Sequence, residues 1–347
     1  MDNFYMGKGL HAMKNKIIVA GNIIVDRIYP ICGYPERGCL TKINPNILQT
    51  TGGTVCNTGI DLVSLSPDTK VCGIGCVGRD AEGDFAIATM EKGGLDCSGV
   101  RRVDRVTSFT AVMSDVISGE RTFFTHSGAS SALDTDAFDF DGTDANLFHI
   151  GYILLLDTLD QPDKQYGTKL ARVLADAQRH GIKTSIDVVS ENSDRFTRLV
   201  PPALKYTDYC IINEIETAAS TGIPLRGEDG TLLTQNIPAA LTKMHELGVA
   251  EWAVIHAPEG GYGMDKSGRY VALPSLNLPK ECIIDKVGAG DAFCAGVLCG
   301  ANEGLSMDDS ILLGSAAAAM SLSAPGATDG VGTMEDAFAL LKTYGMK

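Results

Sequence analysis

The stretch Asp285-Lys286-Val287-Gly288-Ala289-Gly290-Asp291-Ala292-Phe293 sets a carboxylate directly after three small residues and before an apolar run. Small residues let backbone come close to a ligand. The unpaired N–H groups at the start of a helix can hold anionic oxygens. With a helix beginning here, Asp291 falls in its first turn, where the macrodipole favours the ionised form. A carboxylate beside such a cradle suits transfer of a phosphoryl group to a hydroxyl. In a loose transition state the attacking oxygen needs little early deprotonation, so a weak base that takes the proton late suffices. Backbone N–H groups of Gly288, Ala289 and Gly290 would offset charge on the group in transit. An ordinary turn with Asp291 complementing the helix dipole accounts for the same residues, so the rest of the chain decides.

Three more groups could do chemistry. Asp26 follows the apolar run Ile17 to Val25, which reads as one strand buried on both faces. Ligands in open α/β sheets bind beyond the carboxyl ends of strands, although an Asp there also starts turns. Gly52 and Gly53 would admit close backbone approach, and Asn57 offers donors and an acceptor. A helix start near Thr51 or Thr54 explains those residues equally well. Asn213 and Glu216 follow the apolar Tyr209 to Ile212. They fit a capping box and also the organisation of Mg²⁺ through its waters.

The elements that position these groups alternate. Strands are predicted at Val71 to Cys76, Leu147 to Ile150, Lys183 to Val188, Tyr209 to Ile212 and Trp252 to His256. Helical patterns run over Gly53 to Leu65, Asp80 to Lys92, Lys164 to His180, Ile237 to Leu247, Gly288 to Gly304 and Ser306 to Ser323. This rhythm predicts an α/β fold with a central, mostly parallel sheet flanked by helices. Two segments break it. Residues 27–51 lack a helical period, and 107–125 read as a hairpin around Ser118-Gly119-Glu120. Together they predict a small antiparallel β lid.

The ordered motifs resemble the ribokinase-like, or PfkB, family of carbohydrate kinases. Asp285 to Phe293 resembles its C-terminal signature, Gly52-Gly53-Thr54-Val55-Cys56-Asn57-Thr58 its N-terminal one, and Asn213-Glu214-Ile215-Glu216 its Asn-x-x-Glu motif. Gly119-Glu120-Arg121-Thr122 and Gly326-Ala327 fall where that family has similar residues. The resemblance covers Ile17 to Leu341, so that residues 17–347 would form one kinase domain. It implies that Asp291 is the catalytic base, with Gly288, Ala289 and Gly290 as the anion hole. It further implies that Asp26, Gly52, Gly53 and Asn57 bind a sugar, and that Asn213, Glu216, His256 and Gly261 attend ATP. Glu216 would act on Mg²⁺ through water. The chain departs from the family at Pro258, where a glycine is usual, at His256, and at Lys286-Val287 in place of Thr-Thr. A K⁺ ion beside the loop and a homodimer through the lid are further implications. The absence of a basic residue at Thr54-Val55 leans the substrate toward an unphosphorylated sugar, with a nucleoside as the alternative.

Bulk properties narrow the field. A net charge of −14 disfavours a nucleic-acid partner. The ten cysteines include no C-x-x-C pair with nearby His, which removes a zinc reading and suits a reducing cytoplasm. Residues 1–16 lack the apolar core of a signal peptide and are expected to form a flexible extension. No run is long enough to span a membrane. No Walker A motif occurs. Gly73-Ile74-Gly75-Cys76-Val77-Gly78, with Asp96 roughly 20 residues on, fits the dinucleotide fingerprint and keeps an NAD-dependent oxidoreductase in view. A non-catalytic sugar-binding protein is the other competing reading.

Overall fold

The computed structural model describes residues 16–191 and 193–347. The expected extension lies outside them except for Lys16, which opens the first strand. β1 (Lys16–Gly21) and β2 (Ile24–Ile31) lead through β3 (Leu48–Gly52) into α1 (Thr54–Leu65). Next come β4 (Lys70–Gly78), α2 (Ala81–Lys92), β5 (Asp96–Val103), β6 (Ser108–Asp115) and β7 (Arg121–His126). β8 (Leu147–Ile153) precedes a short ladder of β9 (Pro162–Asp163) with β10 (Gly167–Thr168), then α3 (Lys169–Arg179) and β11 (Lys183–Val188). α4 (Phe196–Leu204), β12 (Tyr209–Asn213), α5 (Glu214–Thr221), α6 (Ile237–Leu247) and β13 (Trp252–Ala257) continue the alternation. β14 (Gly260–Asp265), β15 (Tyr270–Pro274), α7 (Ala289–Asn302), α8 (Met307–Ser321) and α9 (Met334–Tyr344) complete it.

Among the described residues, nine strands form the main sheet in the order β15-β14-β13-β12-β11-β8-β1-β4-β5. Its ladders are parallel except where β14 meets β13 and β15. Side-chain alternation along β1 shows how it is covered on both sides. Ile18 and Ala20 join the core beneath α3, α4 and α6, while Ile17 and Val19 join the core beneath α1, α2, α7 and α8. Both predicted β-rich segments meet in a separate four-stranded sheet, β3-β2-β6-β7. Its outer ladders are antiparallel and its middle pair, β2 with β6, is parallel.

The single strand expected from Ile17 to Val25 is two strands. Gly21 turns the chain at φ 130°, where a Cβ would stand 1.6 Å from the Gly151 carbonyl oxygen. The Asn22 side chain then accepts from the Tyr152 amide and donates to the Leu155 carbonyl. β1 therefore stays in the large sheet while β2 crosses into the small one. The helix expected from Lys164 starts only at Lys169, because Thr168 caps it by accepting from the Ala171 amide. Gly73, Gly75 and Gly78 all lie within strand β4 rather than in a strand-to-helix turn. They serve packing: a Cβ on Gly75 would meet Ile23, and one on Gly73 would meet Val55 and Leu95. Among the described residues no helix is long and apolar enough to cross a membrane.

α7 and α8 approach closely through small residues. A Cβ added to Gly296 would stand 2.6 Å from the Gly314 Cα, and one on Gly300 would stand 2.9 Å from the Ser310 Cα. Gly296→Ala is expected to destabilise the protein by about 1–3 kcal/mol, the usual cost of overpacking a filled core. Urea denaturation checks this as a lower midpoint at unchanged slope.

Candidate active site

α7 begins at Ala289, with Gly288 at its N-cap in the left-handed region at φ 80°. A Cβ at Gly288 would lie 2.4 Å from the Ala327 carbonyl oxygen, so both conformation and space call for glycine. Among the described residues no side chain caps this helix. Its first amides therefore have no side-chain acceptor of their own and suit an anion.

Asp291 sits in that first turn and is held from two other elements. The Tyr152 hydroxyl donates to Oδ1 at 2.7 Å, Thr58 to Oδ1 at 3.3 Å, and Asn57 Nδ2 to Oδ2 at 3.0 Å. Oδ1 thus receives two protein donors and Oδ2 one, which leaves Oδ2 the freer acceptor. Burial pushes the Asp291 pKa up, and the three donors pull against it. The helix start alone does not set its charge, as the sequence suggested; desolvation is the larger influence.

Two cavities meet beside this carboxylate. The larger, about 660 Å³, is bounded by Asp26, Gly52, Gly53, Asn57, Asp187 and Asp291, with Phe123 and Thr125 of β7 facing them. The smaller, about 520 Å³, is walled by Leu276, Ile283, Phe293, Ala318, Ala319 and Leu322, with Lys286 at its edge. Asn213, His256 and Gly290 belong to both. Ala289 lines the smaller cavity and Gly288 the larger, so the anion loop is their common boundary.

Carboxylates dominate the larger cavity. Asp26, Asp187, Glu191, Glu216 and Asp291 line it, and among its described lining residues there is no lysine or arginine. Burial pushes the Asp26 pKa up to about 6, with the Thr110 hydroxyl pulling the other way. Asp187 is raised by burial and then by the negative charge of Glu216 and Asp291. Burial likewise lifts Glu216 to about 7, even though Ser190 Oγ and the Asn213 amide donate to it. Glu216 and Asn213 form the reciprocal capping box of α5. Among the described residues no cluster of three or more His, Cys, Asp or Glu side chains is arranged to hold a metal directly. Glu191 is paired with Arg195, and the remaining crowded hard oxygen donors nevertheless fit a Mg²⁺ ion that keeps its waters.

The structure gathers nearly all of the residues singled out from the sequence, with two corrections, at Asp26 and Gly261. Asp26 does not end the first strand; it lies within β2 in the small sheet, above the carboxyl ends of the main sheet. Gly52 is small for its sake, since a Cβ there would stand 2.5 Å from Asp26 Oδ2. Gly261 does not line the smaller cavity. It packs beneath Ile311 and the Phe293 ring, and its neighbour Gly260 lines the wall instead. His256 stacks against Phe293 with ring centroids 5.0 Å apart, and burial drives its pKa down to about 4, so it offers a neutral ring. Tyr152, Thr58 and Asp187 were not anticipated. Tyr152 and Asp187 stand at the carboxyl ends of β8 and β11, the one signal that could have marked them. The loop also has an unforeseen tie: Asp285 Oδ1 accepts from the Lys286 and Val287 amides, and Oδ2 accepts from Arg121 of β7 at 3.0 Å.

The profile described as pfkB family carbohydrate kinase matches residues 14–334. The chain is 23% identical over 322 residues to a ribokinase of Schizosaccharomyces pombe, covering 91% of this chain and 94% of the relative. It is 28% identical to a 2-dehydro-3-deoxygluconokinase of Bacillus subtilis over 75% of this chain and 77% of the relative. A solved ribokinase of Arabidopsis thaliana, complexed with ribose and ATP, has the same fold with a TM-score of 0.76 at 20% identity. That match covers 94% of this chain and 99% of the other. The chain belongs to the pfkB family of carbohydrate kinases and is a phosphotransferase.

Asp26 gives a test of the buried charge. Its folded pKa of about 6 lies above the ordinary 3.8, so the folded protein holds the proton more tightly. Its contribution to stability is full below about pH 4 and is lost as pH rises through about 6. Asp26→Asn is therefore expected to melt higher than the wild type at pH 7 and equally at pH 4. Thermal melts across pH check it; equal melting at both values would show that Asp26 is not desolvated.

Proposed function

We propose that this kinase transfers the γ-phosphate of ATP to a hydroxyl of a small unphosphorylated sugar, with Asp291 as catalytic base. One observation carries the reading: the freer oxygen of Asp291 stands where an acidic, polar cavity and an apolar cavity share the uncapped N-terminus of α7. The apolar walls of the smaller cavity suit a purine, with the phosphates directed at the shared loop. The larger cavity then holds the acceptor. With four carboxylates besides the Arg195-paired Glu191, and no cation in its lining, it suits a neutral polyol and disfavours a sugar phosphate or a sugar acid. Asp26 and Asn57 supply acceptors and a donor for sugar hydroxyls, while Gly52 and Gly53 let the backbone close in. The exposed ring of Phe123 on the wall of the same cavity supports a nucleoside as the second reading, because a base could stack there.

In the reaction the acceptor oxygen forms a bond to the γ-phosphorus as the bond to the β,γ-bridging oxygen breaks, giving ADP and a sugar phosphate. Asp291 takes the hydroxyl proton, and the backbone N–H groups of Gly288, Ala289 and Gly290 hold the phosphoryl oxygens. Bound Mg²⁺ would neutralise phosphate charge; Asp187, Asn213 and Glu216 would hold it through waters. A K⁺ ion would rest on backbone carbonyls, since the Asp285 carboxylate is already paired with Arg121. Closure of the small sheet over the cavity would exclude water and limit wasteful ATP hydrolysis.

The small sheet also carries an apolar surface. Leu40, Ile47, Leu48, Val116, Ile117 and Phe124 are all exposed, and β3 and β7 are open edges. Such a patch suits a second copy of the chain. A cytoplasmic setting accords with ten free cysteines.

Asp291→Asn is expected to lower kcat by about 10²- to 10⁴-fold, the usual worth of a positioned base. Mg-ATP affinity should stay close to the wild type. A coupled ADP-release assay measures the first and calorimetry the second; near-normal turnover would remove Asp291 from this role. The same assay should respond to neutral sugars or nucleosides and not to phosphosugars. For assembly, sedimentation should show a dimer that Phe124→Glu converts to monomer; a monomeric wild type would remove the dimer reading.

A further inference from the structure

Four polar side chains that the proposed reaction does not use lie wholly buried behind Asp291: Thr54 and Thr58 on α1, His149 on β8 and Ser185 on β11. They are connected in a line. Ser185 Oγ is 3.1 Å from His149 Nδ1, and His149 Nε2 is 3.3 Å from Thr54 Oγ1. Thr54 Oγ1 is 3.4 Å from Thr58 Oγ1, which is 3.3 Å from Asp291 Oδ1. Leu147, Phe148, Ile150 and Ile186 on the same strands are apolar and buried, while the buried Thr184 beside Ser185 bonds to the Tyr206 carbonyl and Asp208. Polar groups in such surroundings are costly unless each finds a partner.

Counting protons fixes the direction of every link. An ionised carboxylate only accepts, so Thr58 commits its single hydroxyl proton to Asp291. Toward Thr54 it can then only accept, and Thr54 must donate. Thr54 in turn accepts from His149, which requires the imidazole proton on Nε2. Burial alone drives the His149 pKa down to about 3, with no charged group contributing, so the ring carries one proton. Nδ1 is therefore bare and accepts from Ser185. All donors point toward the base.

We propose that His149 is a positioning residue: acting through Thr54 and Thr58, it aims a directed line of donors at Oδ1 of Asp291 and so keeps Oδ2 turned to the substrate hydroxyl. This rests on the reading of Asp291 as the base. A line of donors ending on a carboxylate favours its ionised form, the form that can take a proton. The other titratable groups that feel the charge of Asp291 come from every element around it. Tyr152 stands on β8, Asp187 on β11, Asp61 on α1 and Cys294 on α7 itself. None of them belongs to the line.

Two measurements on the full chain test it. Nitrogen-15 NMR of the histidine-labelled wild type, with His149 identified by its loss in His149→Gln, should show a neutral ring protonated at Nε2 from about pH 5 to 8. A ring protonated at Nδ1 would overturn the proposal even where the leucine variant fails to fold. In kinetics, His149→Leu should lower kcat by about 10- to 100-fold, leave KM for ATP unchanged and move the acid limb of kcat/KM to higher pH. His149→Gln, whose amide can donate to Thr54, should restore both. A leucine variant with wild-type kcat and acid limb, or a glutamine variant as impaired as leucine, would refute the role. An inactive Asp291→Asn beside an unimpaired His149→Leu removes only this line, whereas an active Asp291→Asn removes the base itself.

Discussion

The site depends on negative charge being kept out of water without a positive charge to balance it. Asp26, Asp187, Glu216 and Asp291 all have their pKa raised, and burial is the largest cause for each. Neutral donors do the compensating: Tyr152, Asn57 and Thr58 for Asp291, Ser190 and the Asn213 amide for Glu216. A hydroxyl or amide donor steadies a carboxylate without cancelling its charge. The cavity so formed prefers ligands that bring hydroxyls or cations. On the proposed reading, magnesium bound with the nucleotide would supply the cation, and a polyol the hydroxyls.

The fold makes this arrangement by sending one run of chain into two sheets. β1 ends in the main sheet and β2 begins in the small one, with Gly21 and the bonds of Asn22 making the break. Asp26 is thereby lifted above the strand ends that present Tyr152 and Asp187. α1 starts at the return from β3 and brings Asn57 and Thr58 against the first turn of α7. The close packing of α7 on α8 fixes the height of that turn. Tyr152 and Asp187 thus come from the carboxyl ends of buried strands, Asp291 from the first turn of α7, and Asp26 from within β2.

Much of this was legible in the sequence where the chemistry is contiguous. The stretch around Asp291 carries its own turn, helix start and acid within a few residues, and the structure places them as read. The alternation of strands and helices was equally plain, because parallel strands buried on both faces form unbroken apolar runs. What stayed hidden depends on contacts distant in sequence. The division of Ile17 to Val25 is invisible in apolar periodicity, since both halves are buried. The glycine-rich β14 looks like a turn until its partners Ile311 and Phe293 are seen. Tyr152 lies just beyond the predicted strand end and is indistinguishable, as a letter, from a core tyrosine. The dinucleotide pattern at Gly73 to Gly78 shows the reverse error: three glycines at the right spacing, selected there for close packing inside a strand.

One ion pair has a mechanical meaning. Arg121 and Asp285, 164 positions apart, join the outer strand of the small sheet to the peptide that shapes the nucleotide loop. Both side chains are largely shielded, at 26% and 13% exposure, so salt weakens the pair less than it would a surface contact. The same carboxylate also braces two amides of the loop. Tugging the flap outward therefore pulls on the loop at the start of α7, and the pair works as a rivet beside that of Arg27 on β2 with Glu82 on α2.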